Sequence, residues 1–198
     1  MPLSPRTDDG NASRRRFEHH GDRTRTGRRG LAKLWEEASH QVTTLGRDGG
    51  DASNAEVIVV AVPGHTIADA LQKVTGLDGQ LTIDATNLYM PRDETYPSLA
   101  HQVKSIIGGP TAKSFSTVFA AAYHQISAQR VTPSNFYAAE PAAQRVTEQL
   151  IRDAGFDPVY VGDIDPGARL LEDSSGLTRA LAGQIGPFFY RYAVPGEL

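Results

Sequence analysis

The chain contains no cysteine. That excludes disulfides, thiolate metal sites and a cysteine nucleophile, and it fits a cytosolic protein. Long apolar runs are missing too. None approaches the roughly 20 residues that cross a bilayer as a helix, so a cytoplasmic protein with no membrane partner is expected. Neither sign of charge dominates: 20 Lys and Arg stand against 23 Asp and Glu, for a net charge of −3. Such a balance gives no overall field to attract nucleic acid, and no nucleic-acid partner is expected. His65, His101 and His124 are scattered without ligand spacing, and His19-His20 lie near the amino terminus. No metal site is expected. No paired nucleophile and base stand out either, so no catalytic residue is assigned.

What is present divides into two unlike parts. Through residue 29, Arg6, Arg14, Arg15, Arg16, Arg23, Arg25, Arg28 and Arg29 are answered only by Asp8, Asp9, Glu18 and Asp22. Phe17 is the one large apolar residue after Leu3. Residues 1–28 therefore read as a disordered basic tail, because they cannot bury enough surface to offset ordering entropy. Ser13-Arg14-Arg15-Arg16-Phe17 resembles a twin-arginine signal only superficially, since no apolar segment follows. A phosphate-contacting arm and a solvated tail are both open readings. The remaining residues, 29–198, suit one domain with a sizeable core.

The centre of that domain is Glu56-Val-Ile-Val-Val-Ala-Val-Pro63-Gly64-His65-Thr66. An unalternating apolar run of this length predicts a strand buried on both faces over 57–62. Pro63 and Gly64 end it, and Thr66 reads as the N-cap of a helix over 67–74. The order of the other segments is regular. A helix is predicted over 30–39, with Leu31, Leu34, Trp35 and Ala38 on one face. A short strand follows over 41–45, ended by Gly46-Arg47-Asp48-Gly49-Gly50. Strands are predicted over 80–87, 112–115, 135–139 and 158–161, and helices over 98–106, 141–154 and 168–181. Residues 117–125 read as helical or irregular. The tail Phe188-Phe189-Tyr190-Arg191-Tyr192 could cover a sheet edge or join a homodimer interface. Strands alternating with helices predict an α/β domain with a mostly parallel sheet and helices on both faces.

The ordered set Gly46-Arg47-Asp48, Ala61-Val62-Pro63, Ile83-Asp84-Ala85-Thr86-Asn87, Lys113-Ser114-Phe115-Ser116-Thr117, Phe136-Tyr137-Ala138 and Ile151-Arg152-Asp153-Ala154-Gly155-Phe156 resembles the NADP oxidoreductase family related to coenzyme F-420-dependent NADP reductases. The resemblance runs from Gly30 to Leu181 and rests on the order of motifs rather than on any one. It implies a Rossmann-like, doubly wound fold that moves hydride between NADP(H) and a second small redox partner, a deazaflavin such as F-420, a flavin or a small carbonyl. Carried over, it places Arg47 on an adenosine 2′-phosphate, where an unspecialised surface arginine is the other reading. Ala61, Val62 and Pro63 would run beneath the ribose and nicotinamide. Thr86 and Asn87 would bond the nicotinamide side, unless they only make a strand-end turn.

One departure is large. The family opens with a buried strand and Gly-x-Gly-x-x-Gly, whose N–H groups hold the pyrophosphate. This chain has Thr26-Gly27-Arg28-Arg29-Gly30, with Arg25 near the first glycine's place and no strand-like run before it. Thr26, Gly27 and Gly30 are the candidates for what is left of that loop. The first strand reads as missing or replaced, leaving a central gap in the sheet, weak or absent NADP binding and lowered stability. The alternative function is a catalytically impaired, cofactor-free α/β scaffold that binds a partner.

Overall fold

The computed structural model describes residues 23–88 and 95–196. The chain forms α1 (Arg23–Glu37), β1 (Gly50–Asp51), β2 (Val57–Val60), α2 (Ile67–Leu71), β3 (Val74–Thr75), β4 (Leu81–Asp84), α3 (Leu99–Ile107), β5 (Thr111–Ser114), β6 (Ser134–Ala139), α4 (Pro141–Asp153), β7 (Asp157–Tyr160) and α5 (Ile164–Ile185). Short 3-10 helices cover Gly64–Thr66 and Ala120–Ala128.

Five strands make the main sheet in the order β2-β4-β5-β6-β7. β2, β4 and β5 run parallel, β6 turns antiparallel to β5, and β7 runs parallel to β6. The double-faced burial expected of Val57-Ile-Val-Val60 is present. Val57 and Val59 pack into one apolar cluster with Trp35, Phe115 and Ile151, while Ile58 and Val60 pack into another with Ile67, Leu71, Val103 and Ile107. Helices α1 and α4 thus cover one face and α2 and α3 the other.

The beginning of the domain differs from expectation. Residues 41–45 form no strand; β-branched residues need a partner strand to become one, and no strand among the described residues pairs with them. The sheet has no gap at its centre. It ends at β2, whose outer edge pairs with no strand among the described residues. Ala85 N–H donates to Val60 C=O at 2.9 Å, so by alternation Val57 and Val59 turn their backbone groups outward. β1 and β3 instead form a separate two-stranded parallel sheet. Helix α1 starts at Arg23 and runs unbroken across the expected boundary at residue 28; arginine is a good helix former, and the apolar face behind it anchors the helix. Residues 1–22, the rest of the expected tail, lie outside the described residues.

Helix ends follow their sequence signals. Ser98 Oγ accepts from His101 N–H at the start of α3, Pro141 opens α4, and Gly155 at φ 85° follows its end. Thr66 does otherwise: its hydroxyl donates back to Pro63 C=O at 2.8 Å and does not cap α2. The aromatic tail lies along its own chain, with Ser134 N–H donating to Tyr190 C=O at 2.7 Å.

Between β6 and α4 the Tyr137 hydroxyl donates to Glu148 Oε1. Burial, with this bond, pushes the phenol above its ordinary pKa, and the same bond outweighs desolvation to hold Glu148 below the usual carboxylate range. The signs are opposite. Glu148 contributes stability above its unfolded value, lost as pH falls through its lower folded one; Tyr137 contributes below its unfolded value, lost as pH rises toward its higher folded one. Tyr137→Phe should lower stability at pH 7 by about 1–2 kcal/mol and flatten the acid limb of a urea-unfolding profile. An acid limb equal to the parent's would show that Glu148 does not contribute through this bond.

Candidate active site

Doubly wound sheets place ligands at the carboxyl ends of their strands, and here those of β2, β4 and β5 converge. Beyond β2, Pro63 forms a parallel bridge with Asn87 beyond β4. Gly64 permits that approach, because a Cβ there would stand 2.8 Å from Leu99 Cδ1 and 3.1 Å from Asn87 O. Ala61, Val62, Pro63, Thr86 and Asn87 are therefore gathered in one place.

Under them lies a buried ionic cluster. Asp84 and Lys113 are partners in the β4–β5 register and so project from one face. Lys113 Nζ donates to Asp84 Oδ2 at 2.7 Å and to Thr86 C=O at 2.8 Å. Asp84 Oδ1 in turn accepts Thr86 N–H at 2.8 Å. Glu172 of α5 stands 3.7 Å from the ammonium and accepts Leu99 N–H, at the start of α3, at 2.7 Å. All three charged side chains are fully buried. One cation between two carboxylates thus ties α3, β4, β5 and α5 together and fixes the Thr86–Asn87 turn from below.

Beyond β5 the chain turns through Phe115 at φ 60°, a left-handed conformation rare outside glycine and costly for a bulky residue. Phe115 N–H is held by Asn135 Oδ1 at 3.3 Å. The turn delivers Ser116 and Thr117 opposite Asn87. Together with Val118, Phe119, Ser175, Thr178 and Arg179 these residues line a cavity of about 40 Å³. Two of its buried polar atoms, Asn87 Oδ1 and Ser116 Oγ, have no hydrogen-bond partner. Such groups are costly in a fold and mark a place where a ligand or water is wanted.

The remaining candidates lie elsewhere. Thr26, Gly27 and Gly30 fall inside α1, where a helical backbone uses its N–H groups on its own carbonyls, so they form no phosphate loop. Gly30 instead allows close packing: a Cβ would meet Tyr123 Cδ2 at 2.5 Å. Arg47 is exposed in the turn before β1, and its C=O accepts from Lys73 Nζ at 3.3 Å. That turn adjoins the amino ends of β2 and β4, where Gln80 Nε2 donates to Ala52 C=O, so Arg47 is at the opposite end of the sheet from Asn87. A larger cleft, about 920 Å³, is separate again, between α1, the Ala120–Ala128 helix and the end of α4. Gly30 is a sequence candidate on its walls. No cluster of three metal-ligating side chains and no helix long and apolar enough to cross a membrane occur among the described residues.

Sequence reasoning passed over Lys113, Asp84 and Ser116 as site residues. A signal existed: a lone Asp and a lone Lys, each inside a strand otherwise free of charge.

No known family pattern and no curated protein matches the chain. Among the solved structures similar to the chain are two that differ in how much of it they cover. One, from Arthrobacter sp. FB24, is provisionally described as an F420-dependent NADP reductase; it superposes with a TM-score of 0.70 at 20% identity, over 86% of this chain and 96% of its own. The other is a hypothetical protein from Sinorhizobium meliloti, with a TM-score of 0.52 at 28% identity, over 59% of this chain and 61% of its own. The first likeness establishes the doubly wound, Rossmann-like α/β fold.

Proposed function

We propose that this chain is an oxidoreductase of the NADP-reductase kind whose site keeps the end that holds a redox ring and lacks the end that holds phosphates. One observation carries the reading: two partnerless buried atoms, Asn87 Oδ1 and Ser116 Oγ, face one cavity at the carboxyl ends of β4 and β5. Asn87 Oδ1 needs a donor, and Ser116 Oγ can donate or accept. The carboxamide of a nicotinamide and the edge of a flavin or deazaflavin both offer N–H donors beside carbonyl acceptors. A space of about 40 Å³ takes such a polar edge, with Val118 and Phe119 as its apolar neighbours. The bound ring supplies the hydride chemistry; the protein's part is to orient it and to hold the Thr86–Asn87 turn still.

The phosphate part of NADP(H) does not fit. The N–H groups of Gly27 and Gly30 are inside α1, and Arg47 is at the far end of the sheet. NADP(H) binding to this chain is weak on this reading, and the redox partner is a ring held mainly by its edge. That no phosphate loop forms at Gly27–Gly30 among the described residues is also what favours the second reading, a cofactor-free scaffold.

Titration with a deazaflavin and with FMN, followed by ring fluorescence, separates the two. The redox reading expects saturable quenching that weakens about tenfold in Asn87→Ala, the scale of one hydrogen bond to a buried acceptor, at an unchanged melting temperature. Failure of both rings to bind would leave the scaffold.

A further inference from the structure

The cavity at Asn87 has an inner end and a mouth. Asn87 Oδ1 and Ser116 Oγ, buried and without hydrogen-bond partners, mark the inner end. Helix α5 supplies one wall through Ser175, Thr178 and Arg179, whose spacing of three and four residues from Ser175 puts them on one face. Their exposure is graded: Ser175 and Thr178 are buried, and Arg179 is exposed. Thr178 is committed to the fold, since its hydroxyl donates to Ser174 C=O at 3.1 Å and meets the Tyr190 hydroxyl at 2.9 Å. Arg179 brings a fork of N–H donors to the rim. Among the described residues that line the cavity, it alone carries a charge. Phe119, half-buried and braced against Phe188 with ring centroids 5.4 Å apart, makes an apolar side.

Size decides what stays outside. A cavity of about 40 Å³ has room for the polar edge of a ring and for little more. A flavin or deazaflavin carries its side chain on the central ring, away from the pyrimidine edge. With that edge at Asn87, the chain leaves through the mouth, past Arg179. A guanidinium there pairs with an anion on the chain and has no such partner on a neutral one.

We infer that Arg179 is the specificity-determining residue of this site, which takes a ring with an anionic side chain in preference to the same ring with a neutral one. The inference rests on the ring reading of the cavity and adds to it the charge class of the ligand. One anion at one exposed arginine meets the requirement, and no loop of backbone N–H groups is needed.

Riboflavin and FMN share the ring and differ in the terminal phosphate, so titrating each into the full chain, followed by ring fluorescence, tests the assignment. FMN should bind about fivefold more tightly than riboflavin, the scale of one partly solvated guanidinium–phosphate pair. That preference should shrink at about 1 M salt, where charges are screened within ~3 Å. It should vanish in Arg179→Gln, whose FMN affinity falls to that of riboflavin, and survive in part in Arg179→Lys, which keeps the charge. Riboflavin binding by the glutamine variant shows that it is folded. Equal binding of both compounds to the parent would overturn the inference and leave the ring reading standing. A preference that survives Arg179→Gln would overturn it too, by placing the cation elsewhere. If neither compound binds the parent, the ring reading falls and the inference with it.

Discussion

Replacing Lys113 with methionine is expected to lower the unfolding free energy by about 3–5 kcal/mol. The ammonium is the one cation seen to reach both Asp84 and Glu172, at 2.7 and 3.7 Å, and all three side chains are fully buried. Methionine has nearly the volume of lysine and removes the charge without leaving a hole. What remains is Asp84 and Glu172 out of water without the ammonium between them, and that desolvation is the source of the loss. Lys113→Met/Asp84→Asn/Glu172→Gln should recover part of it, because neutral amides are far cheaper to bury than carboxylates. Urea unfolding of both variants decides the matter. A single variant as stable as the parent would mean that the cluster does not hold the fold, and with it the account of how Asn87 is positioned. The same substitution should weaken ring binding at Asn87, since Lys113 also donates to Thr86 C=O.

A comparable loss, about 3 kcal/mol or more, is expected of Gly109→Ala. Gly109 lies between the end of α3 and the start of β5, where the chain passes close to the residues that lead into β4. A Cβ there would stand 2.1 Å from Gln80 O and 2.4 Å from Gly79 O. Both are backbone atoms, so no rotamer change relieves the contact. They are also held in place: Gly79 N–H donates to Ile107 C=O at 3.0 Å and Thr82 N–H to Pro110 C=O at 2.8 Å. Relief requires β4 and β5 to move apart, which breaks the Asp84–Lys113 register. Two readouts follow from one change, a lower urea midpoint and loss of ring binding. Serine or alanine tolerated at this position with both unchanged would contradict the close packing described.

Much of the fold was legible because it is local. Val57-Ile-Val-Val60 announces a strand buried on both sides by composition alone, and Pro141 and Gly155 bracket α4 as their backbone preferences dictate. Pairing is not local, and that is where the reading failed. Residues 41–45 have strand-forming side chains but pair with no strand among the described residues. The antiparallel turn at β6 follows a long connection with no full crossover helix, so nothing in the strand itself reveals its direction. Of the candidate residues, Pro63, Thr86 and Asn87 come together because each ends or follows a parallel strand. Arg47 lies apart from them because residues 41–45 form no strand to carry it there. Ser116 was passed over because its burial depends on the left-handed turn at Phe115, which no ordinary sequence signal marks.

The most direct test of the whole account is a titration of the chain with NADPH and, in parallel, with NADH, following the melting temperature. A ligand that binds only the folded state raises it once its concentration exceeds the dissociation constant. The account predicts no rise until millimolar concentrations, and then the same rise for both nucleotides, because no phosphate loop forms at Gly27–Gly30 and Arg47 is remote from Asn87. Binding at low micromolar NADPH, with NADH much weaker, would contradict it and return both the glycines and Arg47 to the cofactor.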